Sequence, residues 1–437
     1  MKDKIKEVLA EFYAEGIPDR IVHRDLEYVE KLLSATVVKG MRRTGKTYVT
    51  YERIRRLLDE GVPLGRIVQL NFEDDRLSQL TAEDLRLINE VHAELQPEFS
   101  DKECWYFLDE LQNVKGWESY ARRLVDSPRI RLCLTGSSSK LLGEEIATQM
   151  RGRSLPIEVF PLSFSEFMRF NSIPLPKAEG VFTAREKGIL RKAVSLYLEQ
   201  GGFPDVVGLS DRMRATVLQG YVDAVLYRDV LERHEIASVQ ALKYTLEYLI
   251  HNFARKASAR AISGVLKNLS VPANRESVMD YIGYFKDAYL VYPVPVRSDS
   301  LAVRRVNPDK YYIVDTGLVR AVCAKTDVEN GWLLENLVFM SLRRRFCKID
   351  YYLTEDGREV DFEVLDKVTR KRSLVQVTWS MADTSTFVRE SSALESARRE
   401  TGIDDCTIVT WDDEDDNGNG IRVVPIWKWL LECERGQ

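Results

Sequence analysis

The feature that most constrains this chain is a glycine-containing turn between an apolar run and a helical run. Residues 40–47 read Gly-Met-Arg-Arg-Thr-Gly-Lys-Thr and fit the pattern GxxxxGK[ST]. An apolar strand is predicted before the turn at Ala35–Lys39, and a helix is predicted after it from Lys46 to about Leu58. Such a turn lets backbone amides point inward and cradle phosphate oxygens. The pattern therefore predicts a phosphate-binding loop within an α/β fold.

The residues of this loop define a nucleotide site. The Lys46 ammonium is expected to reach the β- and γ-phosphates, and the Thr47 hydroxyl is expected to bind Mg²⁺. ATP and Mg²⁺ are therefore the predicted cofactors. The predicted nucleotide contacts are Gly40, Arg42, Arg43, Thr44, Gly45, Lys46, Thr47 and Tyr48.

A second motif supplies the acids that such a site needs. Residues 105–110 read Trp-Tyr-Phe-Leu-Asp-Glu, so four bulky apolar residues precede two carboxylates. The apolar residues predict a central strand, which places Asp109 at its carboxyl end, where it can hold the metal ion. Glu110 is then placed to polarise an attacking water molecule. The two motifs together predict hydrolysis of the bound nucleotide, with Lys46 and Glu110 as catalytic residues.

Two further catalytic candidates have alternative interpretations. Ser137 follows the apolar run of residues 129–136 and is a candidate sensor of the γ-phosphate. A serine at this place is also typical of a helix N-cap. Arg151 and Arg153 flank a glycine, and Arg153 is the predicted arginine finger for a neighbouring subunit. Two such arginines are equally typical of a surface turn.

Apolar runs alternate with helical patterns at the start of the chain. The runs at residues 35–39, 67–72, 104–110 and 129–136 are short and show no polar alternation. This is typical of a parallel sheet covered on both faces, so a doubly wound α/β domain is predicted at residues 1–165. Three further domains are predicted by periodicity: a helical section at 166–237, a winged helix-turn-helix at 238–305 and an α/β domain at 306–437.

The winged-helix prediction rests on residues 258–296. A short helix, a turn at Ser270–Pro272, a second helix from Asn274 and a strand follow one another there. Residues 238–300 hold eight Lys or Arg against five Asp or Glu, in a chain of net charge -5. Such a patch favours contact with DNA phosphates, although winged helices also dock proteins. Four side chains are expected in the core: Met279, Tyr281, Ile282 and Phe285.

The compartment is predicted from what the sequence lacks. The charged first twenty residues show no signal-peptide pattern, and no uncharged apolar run reaches the length of a membrane span. The six cysteines are scattered without a CxxC motif, as is typical of a reducing compartment. The chain is therefore expected in the cytoplasm and away from membranes.

The order of these motifs resembles a group of bacterial and archaeal AAA+ ATPases that carry a conserved C-terminal domain of unknown function. The resemblance implies an AAA+ core, a winged helix and a C-terminal domain like the PD-(D/E)XK nucleases. It rests on these stretches: GMRRTGKT, NFED, FLDELQNVKGWE, LTGSSSKLL, RGR with PLSFSEF, GGFPD, the winged-helix segment, KYYIVDTGL, LLENLV and EVDFEV.

The resemblance also implies positions for nuclease-like residues. They fall on Glu335, on Asp361 and on Gln376-Val377-Thr378. The nuclease pattern requires Asp or Glu at the position of Gln376 and Lys at that of Thr378. A degenerate nuclease-like domain used for binding or assembly is therefore expected, and nuclease activity is not.

Two functional hypotheses follow. The first is an AAA+ ATPase that remodels or translocates on duplex or branched DNA. The second is a nucleotide-gated switch whose winged helix and C-terminal domain bind a partner protein. An arginine finger favours a homo-oligomeric ring, but the sequence does not fix the oligomeric state.

Overall fold

The computed structural model describes residues 1–26, 35–137, 154–176, 182–271, 273–323, 328–346, 348–366, 368–416 and 420–435. The chain forms two compact units. The first contains residues 1–160 together with 287–289, and the second contains residues 161–286 together with 290–437. The predicted domain limits at 165, 237 and 305 remain predictions.

The first unit is built on a five-stranded sheet in which all strands are parallel and the order is β2-β3-β4-β1-β5. Because the strands are parallel, their carboxyl ends lie along one edge, where ligands of such sheets bind. The fold confirms the predicted parallel α/β sheet. Its strands are β1 Ala35–Lys39, β2 Ile67–Asn71, β3 Cys104–Asp109, β4 Ile130–Gly136 and β5 Ser154–Glu158.

Helices pack on both faces of this sheet. Neighbouring residues of β3 point to opposite faces: Leu108 packs in one apolar cluster with Leu124, and Phe107 packs in another with Val49 and Ile54. This explains why the strands read as unbroken apolar runs. The helices of the described part of this unit are Lys2–Glu15, Lys46–Asp59, Leu87–Leu95 and Glu118–Asp126.

The second unit begins with helices whose ends carry clear sequence signals. Ser163 and Thr183 each form a capping box, in which the hydroxyl accepts a hydrogen bond from the backbone amide of a glutamate three residues later. Within the described ranges, no helix combines the length and the apolar character needed to cross a bilayer. The helices before residue 252 are Phe164–Phe170, Ala184–Gln200, Asp211–Ala224, which continues as a π-helical turn Val225–Leu231, and Val239–His251.

The predicted order of helix, turn, helix and strand is present. The helices are Ala259–Asn268 and Arg275–Asp287, and β7 follows at Val291–Val294. An antiparallel three-stranded sheet in the order β6-β8-β7 includes this strand together with β6 Arg255–Ala257 and β8 Asp309–Ile313. The assignment of these elements to a winged-helix module remains a prediction.

One core prediction in this segment was wrong. Tyr281, Ile282 and Phe285 are buried, but 52% of the Met279 surface is exposed. The buried residues share one face of their helix at helical spacing with Val278, and Met279 lies about 100° around the axis from Val278. Met279 is therefore not part of the core that this helix forms.

The rest of the second unit is organised by a six-stranded mixed sheet in the order β13-β14-β12-β11-β10-β9. Its strands are β9 Lys348–Leu353, β10 Glu359–Leu365, β11 Arg372–Val377, β12 Cys406–Thr410, β13 Asp415–Asp416 and β14 Ile421–Pro425. The accompanying helices are Leu301–Val306, Thr316–Val322, Asn330–Arg345, Thr384–Thr401 and Ile426–Arg435. The α/β sheet predicted for the C-terminal part is thus present.

Candidate nucleotide-binding and hydrolysis site

The turn between β1 and the helix Lys46–Asp59 requires glycine at two positions. Gly40 has φ of 149°, and a Cβ atom at this position would overlap the carbonyl oxygen of Val159. Gly45 adopts the left-handed conformation, with φ of 92°, at the N-cap of the helix. The pattern therefore needs glycine at position 40 because the Val159 backbone lies too close for a side chain, and at position 45 because the backbone is left-handed there. The first amides of the helix are left without intrahelical acceptors, as a phosphate site needs.

Contacts within the first unit hold this turn in shape. The Thr44 hydroxyl donates to the carbonyl oxygen of Met41 at 2.9 Å. Arg24, which is 4% exposed, donates from one guanidinium nitrogen to the Thr44 carbonyl at 2.9 Å and from the other to the Phe160 carbonyl at 2.8 Å. Arg24 was not predicted, because it lies outside both motifs. Its fork of donors fixes the loop to the segment after β5.

The two predicted metal ligands meet. The Thr47 hydroxyl donates to Asp109 Oδ2 at 2.6 Å, across 62 residues of sequence. Burial raises the pKa of Asp109, and the neighbouring Glu110 carboxylate raises it further. Lys46 lowers the pKa of Asp109 by less than burial and Glu110 raise it, and a divalent ion bound beside the carboxylate would favour its ionised form. A hydroxyl and a carboxylate oxygen are ligands that Mg²⁺ prefers, so the residues present fit this ion.

Thr135, at the carboxyl end of β4, occupies the position between the two motifs. Its hydroxyl donates to Asp109 Oδ1 and accepts from the backbone amide of Glu110 at 3.0 Å. The prediction of a hydroxyl at this position named Ser137, which is buried two residues further on. The role of Ser137 as a sensor remains a prediction, while Thr135 was missed. Thr135 could not be recognised as a site residue from the sequence, because it lies within the strand β4 and threonine is common within strands.

Glu110 lies directly after β3 in a backbone conformation that is uncommon for a residue with a side chain. Its φ is 54°, in the left-handed region, and 6% of its surface is exposed. Its carboxylate lies 3.4 Å from the Lys46 ammonium and accepts a hydrogen bond from the Gln112 amide. Burial raises the pKa of Glu110, but Lys46 and Arg42 outweigh burial and hold it below the ordinary value. The acid is therefore ionised at neutral pH and can accept a proton.

The other predicted contacts are less enclosed. Arg42 forms an ion pair with Glu73 at 2.6 Å, and Arg43 has φ of 67° within the turn. Tyr48 is 50% exposed, and its ring meets the Tyr51 ring edge-on at 5.8 Å. Arg153, the predicted finger, lies outside the described residues. The contacts of these side chains with nucleotide remain predictions.

Comparison with known proteins identifies the family. Residues 34–168 match a family described as an AAA domain, and residues 191–329 match one described as a domain of unknown function (DUF8612). The uncharacterized protein MJ1544 of Methanocaldococcus jannaschii is 32% identical over 425 residues, which cover 94% of this chain and 91% of that protein. The chain belongs to the family of MJ1544. An uncharacterized protein of Haemophilus influenzae is 28% identical over 329 residues, covering 75% of this chain and 78% of that protein.

Solved structures are similar at low identity. The Walker-type ATPase PABY2304 of Pyrococcus abyssi has a TM-score of 0.44 and 15% identity, over 74% of this chain and 95% of that chain. The Orc1 protein of Aeropyrum pernix, solved in complex with DNA, has a TM-score of 0.30 and 14% identity, over 74% and 92% of the two chains. The AAA-domain match contains Lys46, Asp109 and Glu110. Residues 34–168 of this MJ1544-family protein thus form an AAA-type P-loop domain.

The predicted nuclease-like residues of this MJ1544-family chain lie in the second unit, where two of them meet. Glu335 on the helix Asn330–Arg345 and Asp361 on β10 both accept hydrogen bonds from the Lys310 ammonium, at 2.9 and 2.8 Å. Gln376 on β11 accepts from the Asp361 backbone amide at 3.1 Å and donates to Glu390 at 2.6 Å. Lys310 was not predicted, because it belongs to β8 and lies far from the nuclease pattern in sequence. The nuclease-like character of the domain remains a prediction.

Proposed function

We propose that this protein is a Mg²⁺-dependent ATP hydrolase that acts in association with DNA. The observation that carries the ATPase proposal is the meeting of three side chains at the carboxyl ends of β3 and β4 and the start of the helix after β1. Asp109 accepts from the Thr47 hydroxyl with one oxygen and from the Thr135 hydroxyl with the other. This arrangement links the phosphate-binding turn to the acidic motif.

Each residue has a separate role in the proposal. Thr47 and Asp109 would hold Mg²⁺, which supplies polarisation of the phosphate oxygens when it is bound. Lys46 neutralises charge on the transferred phosphate, and Glu110 orients water and accepts its proton. Thr135 positions both acids through its two hydrogen bonds. Arg153 is proposed to act in a neighbouring subunit of a homo-oligomer.

The ATPase proposal is tested on the full chain by steady-state phosphate release from Mg-ATP and by the binding of a fluorescent ATP analogue. Lys46→Ala is expected to reduce turnover at least 100-fold, because the ammonium is the main cation of the phosphate site. Lys115→Ala is the matched control, since Lys115 is an exposed lysine of the same unit. Unchanged turnover in Lys46→Ala, or no binding of the analogue by the wild type, would refute the proposal.

The DNA part of the proposal concerns the helices Ala259–Asn268 and Arg275–Asp287. These helices carry exposed basic residues, among them Arg260, Lys267 and Arg275. Their guanidinium and ammonium groups suit contact with phosphates, which position a protein on DNA without reading its sequence. Duplex, single-stranded or four-way DNA is expected to raise the ATPase rate at low salt, and the effect should decline as salt rises. The triple replacement of these residues by alanine should abolish the stimulation and preserve the basal rate.

One observation favours the alternative of a nucleotide-gated switch that binds a protein. The same helices expose apolar side chains: Val265, Leu269 and Met279 are 39%, 55% and 52% exposed. Exposed apolar side chains are more typical of protein docking than of phosphate contact. Under this alternative the ATPase rate would be insensitive to all three DNA forms. The DNA titration therefore separates the two functions.

A further inference from the structure

The second unit contains a buried cluster of acids with a cation at its centre. The Lys310 ammonium lies 2.9 Å from Glu335 Oε1, 2.7 Å from Glu359 Oε1 and 2.8 Å from Asp361 Oδ1. Lys310 is 4% exposed, and Glu335 and Asp361 are 8% and 6% exposed. An ammonium has three donors, and each one here faces a different carboxylate. The three carboxylates thus accept all the hydrogen bonds that the Lys310 ammonium can donate.

The acids of the cluster are held from outside, so they do not depend on the lysine alone for their positions. Tyr312 donates to Glu335 Oε1 at 2.7 Å, and the Val377 backbone amide donates to Asp361 Oδ2 at 3.0 Å. The Lys256 ammonium lies 2.5 Å from the second oxygen of Glu359. The Val377 amide and Lys256 thus contact the oxygens of Asp361 and Glu359 that face away from Lys310, whereas Tyr312 shares Glu335 Oε1 with Lys310. One oxygen of each acid is left pointing to the common centre.

Gln376 does not contribute to this centre. Its carbonyl oxygen accepts from the Asp361 backbone amide at 3.1 Å, and its amide nitrogen donates to Glu390 at 2.6 Å. Both ends of the side chain are therefore engaged elsewhere. Its neutral amide replaces the carboxylate that the nuclease pattern has at this position, which removes one negative charge from the neighbourhood. The remaining charge of the cluster is partly balanced by the ammonium.

We propose that the Lys310 ammonium is the resident cation of this cluster and occupies the place where a divalent metal ion would bind to Glu335, Glu359 and Asp361. Three carboxylate oxygens around one point are ligands suited to Mg²⁺ or Mn²⁺. Among the described residues, no group of three or more His, Cys, Asp or Glu side chains is placed to hold a metal ion. The domain then needs no metal ion to neutralise these acids and cannot activate water for cleavage in the manner of a metallonuclease.

The protonation of these groups agrees with this assignment. Burial lowers the pKa of Lys310, but Asp361, Glu335 and the other neighbours outweigh it and raise the pKa well above the ordinary value. Burial and the Asp361 carboxylate raise the pKa of Glu335 to about 7. The ammonium therefore stays charged.

The test is Mn²⁺ binding to the full chain without nucleotide, measured by electron paramagnetic resonance of free Mn²⁺. The wild type measures the Mn²⁺ that binds to the first unit. Lys310→Ala is expected to bind one additional Mn²⁺ per chain. Adding Glu335→Gln and Asp361→Asn to Lys310→Ala should remove this extra ion, and Lys310→Arg should not gain it, because it keeps a cation. A folded Lys310→Ala protein without added Mn²⁺ binding overturns the proposal.

A second arm does not use Lys310→Ala, so it decides the question even where that variant does not fold. Mn²⁺ binding is compared between the wild type and Glu335→Gln. Equal binding supports the proposal, because the cluster of the wild type already contains its cation. Mn²⁺ binding that is present in the wild type and lost in Glu335→Gln, or Mn²⁺-dependent DNA cleavage lost in that variant, would show that a metal ion displaces Lys310.

Discussion

The ammonium of Lys46 lies 3.4 Å from the carboxylate of Glu110, and both side chains are buried. Each group compensates the charge of the other, which is necessary because an isolated buried charge is costly. Lys46 also donates to the Met41 carbonyl oxygen at 3.2 Å, within the phosphate-binding turn. The pair therefore connects the two motifs that define the site. Changes at either residue are expected to affect the other.

Glu110→Gln is expected to bind Mg-ATP and to hydrolyse it about 10²–10⁴-fold more slowly than the wild type, because the amide cannot accept a proton. The variant keeps the size and the hydrogen-bonding shape of the side chain. Turnover is measured by phosphate release and affinity by titration of a fluorescent analogue. Glu98→Gln, at an exposed position of the same unit, is the control. A Glu110→Gln protein that hydrolyses ATP at the wild-type rate would exclude Glu110 as the base.

Thr135→Val is expected to lower turnover at least tenfold, because it removes the hydroxyl between Asp109 and the Glu110 amide. The buried amide would lose its acceptor, at a cost of about 1–3 kcal/mol. Thr135→Ser keeps the hydroxyl and should retain most of the activity. Ser137→Ala, assayed in parallel, tests the predicted sensor separately. If valine and serine at position 135 give equal rates, the hydroxyl has no catalytic importance.

Arg24→Lys is expected to weaken Mg-ATP binding more than it lowers the maximal rate. The two guanidinium nitrogens hold the carbonyl oxygens of Thr44 and Phe160, and a single ammonium cannot reproduce this fork. The turn would then be less well ordered before the nucleotide binds. KM and kcat are measured together, with the exposed Arg20→Lys as the control. A loss confined to kcat would contradict a role in shaping the turn.

Gly201→Ala is expected to destabilise the second unit far more than Gly208→Ala. Both glycines have positive φ, 75° and 81°, so alanine at either position costs about 1–3 kcal/mol of backbone strain. Only at Gly201 would the new Cβ atom overlap another group, the Asp315 carboxylate, whereas nothing lies within 4 Å at Gly208. Denaturant midpoints of the two variants provide the comparison. Equal midpoints would mean that Asp315 moves away at no cost.

Asp315 is expected to make the stability of the second unit fall between about pH 4 and pH 6. Burial raises the pKa of Asp315 from 3.8 to about 6, although backbone amides of Gly202 and Leu318 donate to its carboxylate. Between these two pKa values, Asp315 is protonated in the folded state and ionised in the unfolded state. Its stabilisation of the folded state is therefore complete below the unfolded pKa and is lost as pH rises through the folded pKa. Its size is about 3 kcal/mol.

The measurement for Asp315 is the unfolding midpoint at several pH values for the wild type, Asp315→Asn and the exposed control Asp223→Asn. The asparagine at position 315 does not titrate, so this variant should lose the decline between pH 4 and pH 6. Asp223→Asn should follow the wild type. A decline that persists in Asp315→Asn would assign it to other groups, such as Glu335.

The sequence located the main elements of the first unit closely. The predicted strand at residues 35–39 is β1, and the runs at 104–110 and 129–136 correspond to β3 and β4 within a residue at each end. These predictions succeeded because strands buried on both faces consist of uninterrupted apolar residues. The Met279 prediction failed for a related reason, since one apolar residue on a helix does not show which face is buried. Four positions of the buried face, from Val278 to Phe285, define it only when taken together.

What the sequence determined by itself was local: the glycines and lysine of a phosphate-binding turn, and two acids at the end of an apolar strand. Each motif consists of residues adjacent in sequence, and these residues determine the local backbone geometry. The tertiary structure alone decided which distant side chains complete the sites. Thr135 reaches Asp109 because β4 lies beside β3, and Lys310 reaches Asp361 across 51 residues because β8 brings it there. Such contacts depend on the order of strands and the packing between elements, and no spacing of residues along the chain encodes them.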